Sequence, residues 1–368
     1  MPIPEELLPN PTSARFDHLV REWDDSFGMV FAVDYGDPEA EYRALRNKVV
    51  ALEYSTIRKW YVEGPGAVAT VDAVFSRDMV TMPSNRVAYG AVVDNEGFMI
   101  EDVTVLKIND ELLIMFGGDL LTQQQLEKAA PAGTTVTDRR SEIAAASIQG
   151  PNSRKLLERL TNSDVSNDAL PYYGAITNVQ LAGTTATIMR LGFTAELGYE
   201  IMVPVEDADN LWDQILSQTD LGIQMMGIKA ILVARTEAGF VMGGFEYDRD
   251  TLPYECSLGW TLDLDKGHFQ GKDALLAKKD SAPTRLVTVV FDGNEDVNDG
   301  QELFLDGKKV GRVTMAVHSP VLDGKTIALA RVEKPLAKIG QNLSLEDGTA
   351  ATIHRTPIFD PDRTRVKS

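Results

Sequence analysis

Residues 192–201 read GFTAELGYEI, and the rest of the chain is arranged around them. Gly192 and Gly198 bracket a carboxylate, Glu196. A glycine on each side permits tight or positive-φ turns, so this loop is expected to hold Glu196 close to a ligand. From Tyr199 the chain enters a strand. Period-two alternation puts Glu200 and Met202 on one face and Ile201 and Val203 on the other. If the Ile201 face is the core, Glu200 looks into a pocket on the far side; otherwise it is a surface residue.

Two other stretches are built to meet this loop. In GFMIEDVTV (97–105), alternation sets Glu101 and Asp102 on opposite faces of a strand, so one faces a pocket or both are solvated strand-edge acids. Tyr89 opens the meander that carries them, as a pocket residue or as core. ARTEAGF (234–240) places Arg235 and Glu237 on a helix otherwise made of Ile, Leu, Val and Ala. Charges there are costly unless paired. One reading is an ion pair tethering the helix end; the other is Arg235 donating to a ligand carboxylate. Such a pocket, acidic with one Arg, suits a cofactor with adjacent N–H donors and a carboxylate tail. A pterin offers the first and a glutamate tail the second. Folate matches both, although the residues by themselves do not require it.

Working outward, 37–50 (DPEAEYRALRNKVV) has Tyr42, Leu45 and Val49 at helical spacing, with Pro38 following an Asp37 cap. WYVEGPGA (60–67) reads as strand, Gly-Pro turn and helix, and SIQGPNSRKLL (147–157) repeats the pattern. The echo occurs once, so it indicates two related α+β modules rather than a solenoid. Residues 87–116 and 177–204 each read as an antiparallel meander. Helices are expected over 119–130, 205–218 and 272–279, and a strand over GWTLDL (259–264). A break near 280–283 opens a run of short strands, from RLVTVVFDG (285–293) to ATIHRT (351–356), which reads as a small β-barrel. Residues 1–15 hold four prolines and read as an irregular arm.

Composition narrows the function. A chain of 368 residues, 43% hydrophobic and 25% charged, reads as a soluble protein of two or three domains. The net charge of −19 argues against nucleic-acid and anionic-membrane partners. One cysteine, Cys256, excludes an internal disulfide, and four scattered histidines lack ligand spacing, so no metal site is expected. The start, MPIPEELLPNP, has no apolar segment of signal-peptide type, and a cytoplasmic location is expected. No P-loop, GxGxxG, HExxH, GxSxG or CxxC is present.

GFTAELGYEI resembles the GYTGE-x-GYEI stretch of the aminomethyltransferase family, which comprises the T-protein of the glycine cleavage system and its folate-dependent demethylase relatives. WYVEGPGA, YGAVVDNEGFMIEDVTV (89–105), SIQGPNSRKLL, ARTEAGF and LPYECSLGWTLDLDKGHFQGKDAL (252–275) resemble further family motifs in the family's order. The resemblance implies a three-domain clover-leaf around tetrahydrofolate: an α+β fold of two modules with antiparallel sheets, plus a C-terminal β-barrel. It implies a folate-binding region over 1–282, built of 1–52 with 140–228 and 53–139 with 229–282, and a barrel over 283–368. It places Asp102 by the reactive folate nitrogens with Glu101 as its partner, and Glu196 on the pterin. Tyr89 and Arg235 match family positions, and Glu200 joins them as a candidate cofactor contact.

The departures are specific. The first arginine of the family's AARDxLRLEAG is Ile231 here, the D-D pair is Glu101–Asp102, and the second glycine of GYTGE is Ala195. The ending TPIFDPDRTRVKS is similar to that of the demethylase-like branch. The expected activity is therefore methyl transfer from a small O-, S- or N-methylated substrate to N5 of tetrahydrofolate. The alternative is glycine-cleavage aminomethyl transfer, which requires a lipoyl carrier protein. Such carriers are usually acidic, so a chain at −19 suits one poorly. An alternative of another class is a non-catalytic folate-binding protein assisting iron–sulfur assembly. That branch carries a cysteine where KGHFQGKD (266–273) has His268.

Overall fold

The computed structural model describes residues 3–368. A two-stranded ribbon, Glu22–Ser26 with Met29–Asp34, and three larger β units surround one cavity. The first is a six-stranded sheet ordered Ala175–Leu181, Thr184–Met189, Gly198–Pro204, Ile143–Gln149, Val49–Glu53, Ile223–Met225. Its pairs are antiparallel except the last, where Ile223–Met225 runs parallel to Val49–Glu53. The second is a five-stranded antiparallel sheet ordered Arg86–Val93, Met99–Asn109, Leu112–Gly117, Arg58–Glu63, Thr135–Asp138. The third is a closed six-stranded barrel that begins at Thr284–Phe291 and ends at Ala350–His354, which pairs back onto the first strand.

Alternation along the strands decides what each sheet face meets. Tyr199, Ile201 and Val203 point into a core with Leu156, Leu157 and Trp212 from covering helices. Met202, on the opposite face, joins Leu106, Ile114 and Ala145 where the two sheets pack together. A further cluster, containing Ala91, Tyr247, Cys256 and Leu329, fastens the five-stranded sheet to the barrel. Among the described residues no helix is long and apolar enough to cross a membrane.

Several local expectations change. The helix after Asp37, whose side chain caps Ala40 N, ends at Asn47, so Val49 does not continue it. Val49, Val50 and Ala51 are fully buried in a strand that is covered on both faces. A β-branched pair suits that setting better than a helix end. GWTLDL is not a strand: Gly259–Thr261 forms one 3-10 turn. Its polar backbone groups go to Ser76 instead of a ladder, with Thr261 O accepting from Ser76 Oγ at 2.9 Å and Asp263 N donating to Ser76 O at 2.9 Å. Of the proline-rich arm, residues 1 and 2 lie outside the described residues. Farther along it, Asn10 Nδ2 donates to Val30 O and to Glu53 Oε2, each at 2.8 Å.

The loop 192–197 also differs in its logic. Neither Gly192 nor Gly198 has a positive φ; that conformation falls on Ala195, at φ 60°. The glycines are needed for space. A Cβ on either would lie 2.1 Å from the side-chain oxygen of Gln149, whose amide fills the gap between them. Gln149 donates to Ser147 Oγ (2.8 Å) and Leu191 O (3.2 Å) and accepts from Thr194 Oγ1 (3.0 Å).

Candidate active site

The two larger sheets, the N-terminal ribbon, the 228–260 segment and the barrel line an open cavity of about 1810 Å³. Asp102, Glu101, Tyr89 and Glu200 all line it. Asp102 is held by two phenols. Tyr89 donates to its Oδ2 at 2.8 Å, and Tyr247 makes a short hydrogen bond to its Oδ1. Tyr89 reaches it because the hairpin register pairs Ala91 with Asp102, which leaves Tyr89 diagonally opposite. Burial pushes the Asp102 carboxyl above its usual range, and the Tyr247 and Tyr89 hydrogen bonds pull it back. Burial and the Asp102 charge push both phenols well above their usual value, so they stay protonated donors.

Glu101 serves another element. Its Oε2 accepts the backbone amides of Gly118 (2.7 Å) and Asp119 (3.2 Å), which open the Leu120–Ala129 helix. Burial pushes its carboxyl up to about 7. Glu200 Oε2 accepts from Tyr54 Oη at 2.8 Å, and burial likewise pushes Glu200 up to about 7, opposed by Tyr54 and by Lys59. Lys59 is pushed down to about 8 by burial, and its ammonium bonds the backbone oxygens of Ser55 (3.1 Å) and Ile57 (2.9 Å). Aromatic rings complete the walls: Phe193 stacks on Phe240 at 5.4 Å, and Tyr89 lies 6.1 Å from Trp260.

Glu196 and Arg235 are not brought into this constellation; neither lines the cavity. Glu196 is 3% exposed and sits between two arginines, with Arg46 Nη1 at 2.9 Å from Oε1 and Arg365 Nε at 2.7 Å from Oε2. Arg235 is fully buried, and its Nη1 donates to Glu246 Oε2 (2.5 Å) and Phe240 O (3.1 Å). Glu246 also accepts from Thr314 in the barrel at 2.9 Å. Glu237 accepts from Arg46 Nη2 (2.8 Å), Tyr42 Oη (2.6 Å) and Ser319 Oγ in the barrel (2.7 Å). Arg235 and Glu237 are thus each paired with charges on other elements. An isolated charge that deep would be too costly to keep.

Sequence reasoning missed Tyr247, Tyr54 and Gln149. Tyr54 directly follows a buried strand, and Tyr247 lies in GGFEYD (243–248), ten residues past Glu237 in a segment without periodicity. Neither carries a local signal; their partners are 146 and 145 residues away.

Comparison with known proteins agrees with the architecture. Residues 21–266 match the family model of the GCVT N-terminal domain, and 284–360 match the glycine cleavage T-protein C-terminal barrel domain. The chain is 32% identical, over 96% of its length, to a trimethylamine-oxide aldolase of Ruegeria pomeroyi, but spans only 47% of that protein. It is 30% identical to an aminomethyltransferase of Herpetosiphon aurantiacus, covering 95% of this chain and 97% of that protein. The crystal structure of the glycine cleavage system aminomethyltransferase T from Bartonella henselae superimposes with a TM-score of 0.87 at 21% identity, covering 96% of this chain and 99% of that one. Two sheets and a closed barrel around one cavity, matched in order along almost the whole chain, place this protein in the glycine cleavage T-protein family of one-carbon-transferring enzymes.

Proposed function

We propose that this protein moves a methyl group from a small O-, S- or N-methylated substrate to N5 of tetrahydrofolate. The observation that carries the reading is the cavity in which Asp102 and Glu200 are both held by neutral phenols. The residues fit the cofactor. Glu200 offers a carboxylate acceptor for the paired N–H and amino groups of a pterin, the role that the resemblance gave to Glu196. The flat Phe193, Phe240 and Trp260 rings offer stacking walls. Arg285 and Arg363 line the cavity and are exposed, so they supply the cations for a glutamate tail in place of Arg235.

Tetrahydrofolate, when bound, supplies the nucleophilic N5 amine. Asp102 then stabilises positive charge that develops near it and accepts a proton. Tyr89 keeps Asp102 aimed at that position. The cavity has room to hold two reactants beside one another between the aromatic rings, and this positioning is the largest expected contribution. Ile231 lines the cavity where T-proteins usually carry an arginine, and this favours methyl over lipoyl-linked aminomethyl transfer.

The test is purified protein with tetrahydrofolate and a panel of methylated donors, read by mass spectrometry. 5-Methyltetrahydrofolate from one donor, lost in Asp102→Ala, supports the reading. Methylene transfer from an aminomethyl-lipoyl donor, with no methyl transfer, replaces it with glycine cleavage. Folate binding with neither transfer leaves a non-catalytic folate protein.

A further inference from the structure

We propose that Tyr247 is the positioning residue of Asp102, fixing both the orientation of its carboxylate and its charge. The proposal rests on the reading of Asp102 as the group beside the reacting centre. Its basis is a closed ring of contacts. The Asp102 backbone N–H donates to Tyr247 Oη at 3.0 Å, and the same hydroxyl donates back to Asp102 Oδ1. One phenol oxygen thus accepts from the main chain and donates to the side chain of a single residue. That double attachment selects one Asp102 rotamer, which a lone hydrogen bond to a rotatable carboxylate would not do. Tyr89 adds a bond to Oδ2 from within the same sheet. Tyr247 is the tie that comes from outside it.

The position of Tyr247 is itself built. Gly243 bridges to Tyr247, and Gly244 N donates to Tyr247 O at 2.9 Å. A Cβ on Gly243 would lie 3.1 Å from Tyr247 Oη and 3.3 Å from its Cζ, so the glycine leaves space for the hydroxyl. The ring is 5% exposed and packs among Ala91, Met99, Cys256 and Leu258. A plain packing role would be met by Phe. The hydroxyl is needed only for Asp102.

The titratable and charged groups around Asp102 are Tyr89 on the neighbouring strand, Tyr247 and Cys256 on the segment leading to the barrel, Arg235 on the buried helix, and Glu101 beside it in the chain. Burial favours a protonated Asp102; the two hydroxyls and Arg235 oppose that. Deleting the Tyr247 hydroxyl removes one of these opposing interactions and must raise the pH at which Asp102 ionises.

The test is carbon-13 NMR of protein labelled at the aspartate carboxyl carbons, without folate. The Asp102 signal is the one lost in Asp102→Asn. In Tyr247→Phe its titration midpoint is expected at higher pH than in the wild type. If methyl transfer is found, kcat should fall roughly tenfold, with KM for folate little changed and the acid limb of the pH profile displaced in the same direction. Should Tyr247→Phe fail to fold, Gly243→Ala, which crowds the hydroxyl but keeps the ring, must displace the midpoint the same way. An unmoved midpoint in the folded variant overturns the proposal and leaves Tyr247 as packing. Absence of methyl transfer by the wild type would sink the functional reading while leaving the titration result intact.

Discussion

Two acids of the cavity wall and three acids packed behind it are held in opposite ways. Asp102 and Glu200 bond to phenol hydroxyls. Glu196, Glu237 and Glu246 bond to the guanidinium groups of Arg46, Arg365 and Arg235. A neutral donor orients a carboxylate and leaves its charge available to a ligand, whereas a guanidinium cancels it. The difference separates acids suited to chemistry from acids that join elements. Arg46 lies on the Pro38–Asn47 helix, Glu237 ends the Ile228–Glu237 helix, and Glu196 sits in the 192–197 loop. Arg365 adds the segment after the barrel, with Nη2 donating to Arg46 O at 2.6 Å. One buried charge cluster therefore ties four parts of the chain together. It lies behind the cavity wall that carries Asp102 and Glu200.

This contrast breaks most sharply at Asp102. Asp102→Asn keeps the shape and removes the charge, so kcat should fall by about 10²–10⁴-fold with little change in thermal midpoint. A large loss of stability with activity retained would reverse the assignment. Arg46→Ala should do the opposite. It strands Glu237 without a compensating charge and leaves Glu196 with Arg365 alone, at a cost of about 3–5 kcal/mol by urea denaturation, while the folded fraction keeps its affinity for folate. Lost affinity at unchanged stability would place the cluster in the binding site after all.

Glu200 sharpens the comparison through pH. Its carboxyl is pushed up to about 7 by burial, so the ionised acceptor form dominates only above that value. Calorimetry should show tetrahydrofolate affinity rising as pH climbs through about 7. Glu200→Gln should flatten that rise and weaken binding about tenfold. A slope that survives in the variant would point to another group. The smallest effect is expected at Ala195, which holds φ 60° in the loop that carries Glu196. Ala195→Gly relieves that strain, partly offset by greater freedom of the unfolded chain, and should stabilise by up to about 1 kcal/mol without altering kcat.

How far the sequence can be read depends on the range of the forces involved. Period-two alternation put Glu101 and Asp102, and Glu200 and Ile201, on opposite strand faces, because a strand's geometry is local, yet Glu101 and Asp102 both line the cavity, where one was expected to. Turn and helix signals likewise placed both meanders and the strand-turn-helix units. Motif reading brought Glu196 and Arg235 forward as ligand contacts; in the structure each is bonded to a partner that no local pattern reveals, Arg365 lying 169 residues from Glu196 and Glu246 following Arg235 across a turn. The glycines of GFTAELGYEI were legible as special, but their reason was not. It is the Gln149 side chain from the neighbouring strand.

The sequence by itself determined the two meanders, the strand-turn-helix units, the C-terminal barrel, and the alternation that separates Asp102 from Glu101 and Glu200 from Ile201. Those follow from backbone periodicity and turn chemistry, which act over a few residues. Only the tertiary structure decided which charges remain available. Burial makes every unpaired charge costly, so each buried carboxylate takes whatever donor the packing brings to it. Here the packing brought arginines to Glu196, Glu237 and Glu246, and tyrosines to Asp102 and Glu200.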